Sequence, residues 1–94
     1  MMIAFSSKLS VSEEVMIRQV GDESVLLDLK STKYLGLDDV STRIWQLLTD
    51  SSSIQSAYDA LLGEFDVEPD RLRADLEEFV QELLNLGLVR LSPP

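Results

Sequence analysis

Neither cysteine nor histidine occurs anywhere in the 94 residues. Without cysteine, thiol nucleophiles, disulfides, thiolate zinc sites and cysteine-held iron–sulfur clusters are excluded. Without histidine, the commonest general base and the commonest metal ligand are gone as well. Catalysis by Asp, Glu, Lys, Ser and Tyr alone stays chemically open, but the expectation is a protein that is not an enzyme, with no metal and no cofactor. Basic side chains are scarce too: eight against seventeen acidic ones, for a net charge of −9. Phosphate binding depends on concentrated Lys and Arg, so nucleic acid is not an expected partner. No apolar run approaches the roughly 20 residues that span a bilayer. The opening Met1-Met2-Ile3-Ala4-Phe5 has neither a basic leader nor a long apolar core, so no signal peptide is expected. A cytoplasmic location and no membrane partner follow as expectations.

What is present is an ordinary globular composition, 45% apolar, in a length with room for a single domain over residues 1–94. A chain this short buries only about 60–65% of the surface its unfolded form exposes, so its core must be efficient. The charge is uneven. Residues 1–49 carry five basic and seven acidic side chains, residues 50–94 three and ten. A solvated acidic surface is the plain reading of that excess.

The hydrophobic period changes once, near residue 38. Before it, β-branched runs are separated by turn residues. Val15-Met16-Ile17-Arg18-Gln19-Val20 meets Gly21-Asp22-Glu23, and Ser24-Val25-Leu26-Leu27-Asp28-Leu29-Lys30 returns as the second strand of a hairpin. Ser31-Thr32-Lys33 turns the chain into a short third run, Tyr34-Leu35-Gly36-Leu37. Residues 3–11 form an irregular or strand-like lead-in. After residue 38 the period is helical. Asp38 or Asp39 caps a first helix whose apolar stripe is Val40, Ile44, Leu47 and Leu48, with Trp45 beside it. Ser53 caps a second helix carrying Ile54, Ala57, Tyr58, Leu61, Leu62 and Phe65. Pro69 and Asp70 start a third, with Leu72, Leu76, Phe79, Val80 and Leu83 as its core stripe and Gly87 as its left-handed cap. Val89-Arg90-Leu91 is a brief extended tail. The fold class is α+β: a three-stranded antiparallel sheet followed by three helices, a winged-helix-like arrangement.

Candidate chemistry is sparse. Asp75, Glu78 and Glu82 share a helix face, but no calcium-loop spacing with its central glycine exists, and a solvated face accounts for them. Glu13-Glu14 and Asp38-Asp39 are sequence neighbours whose side chains need not converge. No glycine-rich phosphate loop occurs. An acyl or peptidyl carrier, the alternative from another class, places Asp before its modified Ser and Leu after it. Here Ser41 lies between Val40 and Thr42, and the strand-rich first third is wrong for a four-helix carrier. A DNA-reading winged helix needs a basic recognition helix, whereas the third helix is acidic.

The remaining candidate is backbone. In a meander the short third run lies at an edge, with unpaired N–H and C=O groups that must be covered or used. Lys30 and Lys33 flank it, either as guards against aggregation or as the entrance to a strand-addition site walled by a helix.

Val25-Leu26-Leu27-Asp28-Leu29, Lys33-Tyr34-Leu35-Gly36-Leu37-Asp38, and Ser41-Thr42-Arg43-Ile44-Trp45-Gln46-Leu47-Leu48 together resemble the PqqD family of peptide chaperones, also called RiPP recognition elements. Asp75-Leu76-Glu77-Glu78-Phe79-Val80-Gln81-Glu82-Leu83 with Gly87-Leu88 is similar to that family's terminal helix. The likeness spans roughly residues 15–90, and its order and spacing carry it more than any single piece. It implies a winged-helix-like module that binds the leader region of a ribosomally made precursor peptide and presents it to a separate modifying enzyme. It implies leader addition along the third strand, at the backbone of Lys33, Tyr34, Leu35 and Gly36. Leu72, Asp75, Leu76 and Phe79 are then the facing wall, although Leu72, Leu76 and Phe79 also read as plain core. A free-standing acidic chain with an extra lead-in looks most like the lasso-peptide leader-binding proteins, which act beside a leader peptidase. The alternative within the family is delivery to a radical SAM enzyme. A monomer is expected.

Overall fold

The computed structural model describes residues 3–93, so Met1, Met2 and Pro94 of the terminal segments read above lie outside the described residues. The elements run β1 (Lys8–Val11), β2 (Val15–Val20), β3 (Glu23–Asp28), β4 (Tyr34–Leu37), α1 (Asp39–Asp50), α2 (Ile54–Glu64), α3 (Pro69–Asn85) and β5 (Val89–Ser92). β2, β3 and β4 form an antiparallel sheet in that order, and the short third run of the sequence is its edge strand β4. The expected three strands and three helices are therefore present.

Local chemistry explains the joints. Gly21 has φ 65° while Asp22 has no positive φ, the sign pattern of a type II′ rather than a I′ hairpin turn. β3 ends at Asp28, two residues earlier than its hydrophobic run suggests. The Asp28 carboxylate accepts hydrogen bonds from the Lys30 N–H at 3.0 Å and the Ser31 hydroxyl at 2.8 Å, which turns the chain out of the strand. Thr32 takes φ 60° at the loop tip, and its N–H donates to the Asp28 carbonyl at 2.8 Å.

Asp38 caps α1 by accepting the Ser41 N–H at 2.8 Å, and Ser53 caps α2 by accepting the Ser56 N–H at 3.1 Å. α3 starts on Pro69 and ends as a Schellman motif. Gly87 at φ 72° donates to the Leu84 carbonyl, and the Leu88 N–H donates to the Leu83 carbonyl, both at 3.0 Å. Leu88 then packs back, fully buried.

One core joins all of this. Leu26 and Leu37 of the sheet meet Trp45 and Leu48 of α1, Ile54, Ala57 and Leu61 of α2, and Leu72, Leu76, Val80 and Leu83 of α3. A Leu-to-Ala change at a fully buried position such as Leu26 or Leu76 is expected to cost about 2–5 kcal/mol.

Two findings differ from the sequence reading. The lead-in and the tail are partners: β1 pairs antiparallel with β5, Leu9 opposite Leu91 and Val11 opposite Val89, in a separate two-stranded sheet. Ile3 and Phe5 ahead of β1 are buried, and the Phe5 and Ser7 carbonyls accept N–H groups at the start of α2. The second difference is the face α1 presents. Its buried residues are Thr42, Trp45 and Leu48; Ile44 and Leu47 of the expected stripe pack half-buried against the same core, and Val40 alone of that stripe is exposed. A buried 2.7 Å hydrogen bond between Thr42 Oγ1 and Ser24 Oγ couples the first turn of α1 to β3 and turns Trp45 inward. Val40 is left 47% exposed.

Candidate functional site

The free edge of β4 follows from the ladder. The Asp28 N–H donates to the Lys33 carbonyl at 2.8 Å, so residues 28 and 33 are a hydrogen-bonded pair. Antiparallel ladders alternate bonded and non-bonded pairs. The register then makes Leu26–Leu35 and Ser24–Leu37 bonded pairs, and Leu27–Tyr34 and Val25–Gly36 non-bonded ones. The main-chain groups of Leu35 and Leu37 thus face β3, whereas those of Tyr34 and Gly36 face away from the sheet. Side chains alternate as well. Leu35 and Leu37 point into the core and Tyr34 points out, 70% exposed.

Directly after this edge the chain enters α1, where Val40 and Ile44 line a cleft of about 240 Å³ together with Leu61, Phe65, Asp66, Val67 and, from α3, Leu72 and Asp75. Asp75 also borders a shallower depression of about 280 Å³ along α3, with Glu78, Phe79 and Glu82. Asp75 thus borders both hollows.

Of the residues singled out from the sequence, Tyr34 and Gly36 supply the free backbone, while Leu35 directs its groups and Lys33 its carbonyl toward β3; the Lys33 N–H donates to Ser31 Oγ at 3.3 Å. Leu72 lines the cleft although only 6% exposed, Asp75 is at its exposed end, and half-buried Phe79 continues the line along α3. Leu76 has no exposed surface and backs the wall from the core. Val40, Ile44, Phe65 and Val67 are the lining residues that periodicity assigned to the core or passed over. Exposed apolar side chains at a helix start directly after an edge strand were the available signal.

Electrostatically the region is acidic and loosely committed. Asp75 Oδ2 lies 3.5 Å from Arg71 Nε in an exposed i,i+4 pair, which holds neither partner firmly. The hydrogen bond from the Ser41 N–H keeps the Asp38 carboxyl below its usual range. Arg43 grips Glu64 through two 2.7 Å hydrogen bonds, joining α1 to α2, and this lowers the Glu64 carboxyl. Among the described residues no group of three or more His, Cys, Asp or Glu side chains converges on a metal-sized site. No helix among them is long and apolar enough to cross a membrane. The arrangement suits main-chain pairing with an extended peptide, with pockets for some of its side chains.

Residues 23–89 match the family described as Coenzyme PQQ synthesis protein D (PqqD). No curated relative matches significantly. Two solved structures are similar. TbiB1 in complex with the TbiA(beta) leader peptide is 35% identical, over 85% of this chain and 93% of that one, with a TM-score of 0.79. A lasso peptide synthetase B1 complexed with the leader peptide is 28% identical, over 88% of this chain and 98% of that one, with the same TM-score of 0.79.

Proposed function

The chain belongs to the PqqD family, and from that premise we propose that it captures the leader region of a ribosomally synthesised precursor peptide as a strand added to β4. The observation that carries this reading is the free edge at Tyr34 and Gly36 beside an apolar cleft, in a fold shared with two leader-peptide complexes. Main-chain bonds supply general affinity, and the cleft supplies selectivity. Leu72, Asp75 and Phe79 form the facing wall, with Leu76 behind it.

The role is binding rather than catalysis. The loaded leader is handed to a separate enzyme in the cytoplasm, where the precursor is made. Both similar structures belong to leader-binding proteins, one of them named for lasso peptide synthesis, and this favours a leader peptidase as the receiver. The alternative receiver is a radical SAM enzyme, in keeping with a family described by coenzyme PQQ synthesis.

Calorimetric titration with a synthetic leader of its cognate precursor peptide tests the capture. Saturable one-to-one binding, absent with a scrambled leader, is expected; equal heats from both peptides would sink it. For the hand-over, adding this chain should accelerate leader removal by the cognate peptidase. An unchanged rate excludes that receiver.

A further inference from the structure

Gly36 occupies the middle of β4 although the fold has no need of a glycine there. Its φ is not positive, and a Cβ added to it meets nothing within 4 Å. Gly21 and Gly87, by contrast, hold positive φ values that a turn and a helix cap require. Gly63 also has open space around it, but it ends a helix, where a poor helix former matters little. A glycine inside a strand weakens it, and often marks a place where another chain or ligand approaches closely.

The register shows what surrounds the missing side chain. Gly36 is opposite Val25, which is opposite Arg18, and all three belong to the outer face of the sheet. On one side the next position along β4 is Tyr34. On the other is Asp38, which continues the register opposite Glu23. Val20, Glu23, Val25, Gly36 and Asp38 border a depression of about 450 Å³ on this face, with no basic side chain among its lining residues. Neither Glu23 nor Asp38 takes part in a salt bridge among the described residues.

We propose that Gly36 is the floor of a specificity notch for a long, cation-tipped side chain, Lys or Arg, from the leader residue paired with it. This rests on the leader-binding reading above and names the side-chain class it selects. A strand added at β4 places the residue opposite Gly36 on the same outer face, with direct neighbours about 5 Å away and diagonal ones about 7–8 Å away. With no Cβ in between, its stem lies flat across Gly36 toward Val25 and Val20. Its tip then comes within reach of Asp38 and Glu23. Apolar stems on apolar floors with charged heads at an opposite-sign rim are how Lys and Arg bury themselves. An acidic residue at that leader position meets two like charges, and a short one leaves the floor unfilled.

The test uses the full chain, its Gly36→Val variant, and the same synthetic leader with each position replaced in turn by Ala, Lys and Glu. The thermal midpoint of Gly36→Val should equal or exceed that of wild type, because valine suits a strand. Its affinity for the leader should fall by about tenfold or more, the scale of an overfilled packing site. One leader position should lose affinity on Ala replacement with wild type but not with Gly36→Val, and wild type should prefer Lys there over Glu. Wild-type affinity in Gly36→Val, or a coupled position that prefers Glu or Ala, overturns the notch alone. A lowered thermal midpoint in Gly36→Val also overturns it, making Gly36 a folding residue. A wild-type chain that gives no saturable binding overturns the leader-binding reading, and the notch with it.

Discussion

The sheet has two free edges, and they are not equivalent. β2 is the longer, six residues against four, and richer in β-branched side chains. By strand propensity alone it is the better template for another strand. Yet every residue of β2 from Met16 to Val20 is exposed, and among the described residues no helix stands beside that edge as α1 stands beside β4. β4 runs into α1, where Val40 and Ile44 face Leu72 and Asp75 across a cleft. Free N–H groups are common to both edges; adjacent apolar walls belong to one. On the proposed reading, an edge becomes a recognition site through what stands beside it.

The largest expected effect separates the edges by their backbone donors. Gly36→Pro removes an outward N–H and puts a ring where the added strand must lie, so leader affinity should drop about 100-fold or more. Ile17→Pro removes an outward N–H from β2, and titration should find affinity within about threefold of wild type. Circular dichroism must show both variants folded. Comparable losses from the two would erase the distinction. Leu35→Pro is a poorer probe, because its N–H faces β3 and the change damages the sheet.

Next in size is the wall. Val40→Asp puts a charge into the cleft at an exposed position, so stability should hold while leader affinity falls about tenfold, the scale of one valine no longer buried on binding. The same kind of change at exposed Met16 on the β2 side, Met16→Asp, should leave leader affinity within about threefold of wild type. Equal affinities for Val40→Asp and wild type would remove the cleft from the site.

The anchoring of α1 is a matter of stability first. Removing one partner of the buried Ser24–Thr42 bond leaves the other unsatisfied, so Thr42→Val should cost about 1–3 kcal/mol by denaturant unfolding. The double variant with Ser24→Ala should lose less than the sum of the two single changes. A strictly additive result would mean the hydroxyl pair does not couple α1 to β3.

Much of this fold was legible because its signals are local. Gly21-Asp22, the Ser53 cap, Pro69 and Gly87 each act within a few residues, and each does what its chemistry dictates. The pairing of β1 with β5 was not legible, since it joins residues 8–11 to residues 89–92 and neither run carries a local sign of its partner. One position of the α1 stripe, Val40, misled for a related reason. Periodicity counts apolar positions but cannot know that Thr42 is drawn inward by Ser24, which turns Val40 outward. The candidate site was half legible. The edge strand and the Leu72–Phe79 face of α3 could be named, whereas the division between Tyr34 and Gly36 on one hand and Leu35 and Leu37 on the other needs the hydrogen-bond register.

The smallest effect expected is that of pH. Asp28, Asp38 and Glu64 all titrate below their ordinary values, held there by Ser31, Ser41 and Arg43 respectively. Lowered carboxyl values contribute stability that is complete above the unfolded-state values near pH 4 and is lost as pH falls through the folded-state ones. Thermal midpoints should therefore be flat from about pH 7 to 5 and decline below about pH 4. The Asp28→Asn variant, on the loop into β4, should show a shallower decline. An identical decline would assign the acid sensitivity elsewhere.

Amide hydrogen exchange, resolved by residue and measured with and without the synthetic leader, tests the central claim most directly. In the free chain Leu35 and Leu37 should already be protected by β3, while Tyr34 and Gly36 exchange freely. Saturating leader should slow Tyr34 and Gly36 and leave Val15, Ile17 and Gln19 of the β2 edge unchanged. Exchange at Tyr34 and Gly36 that does not respond to bound leader, or protection arising along β2 instead, would contradict the account.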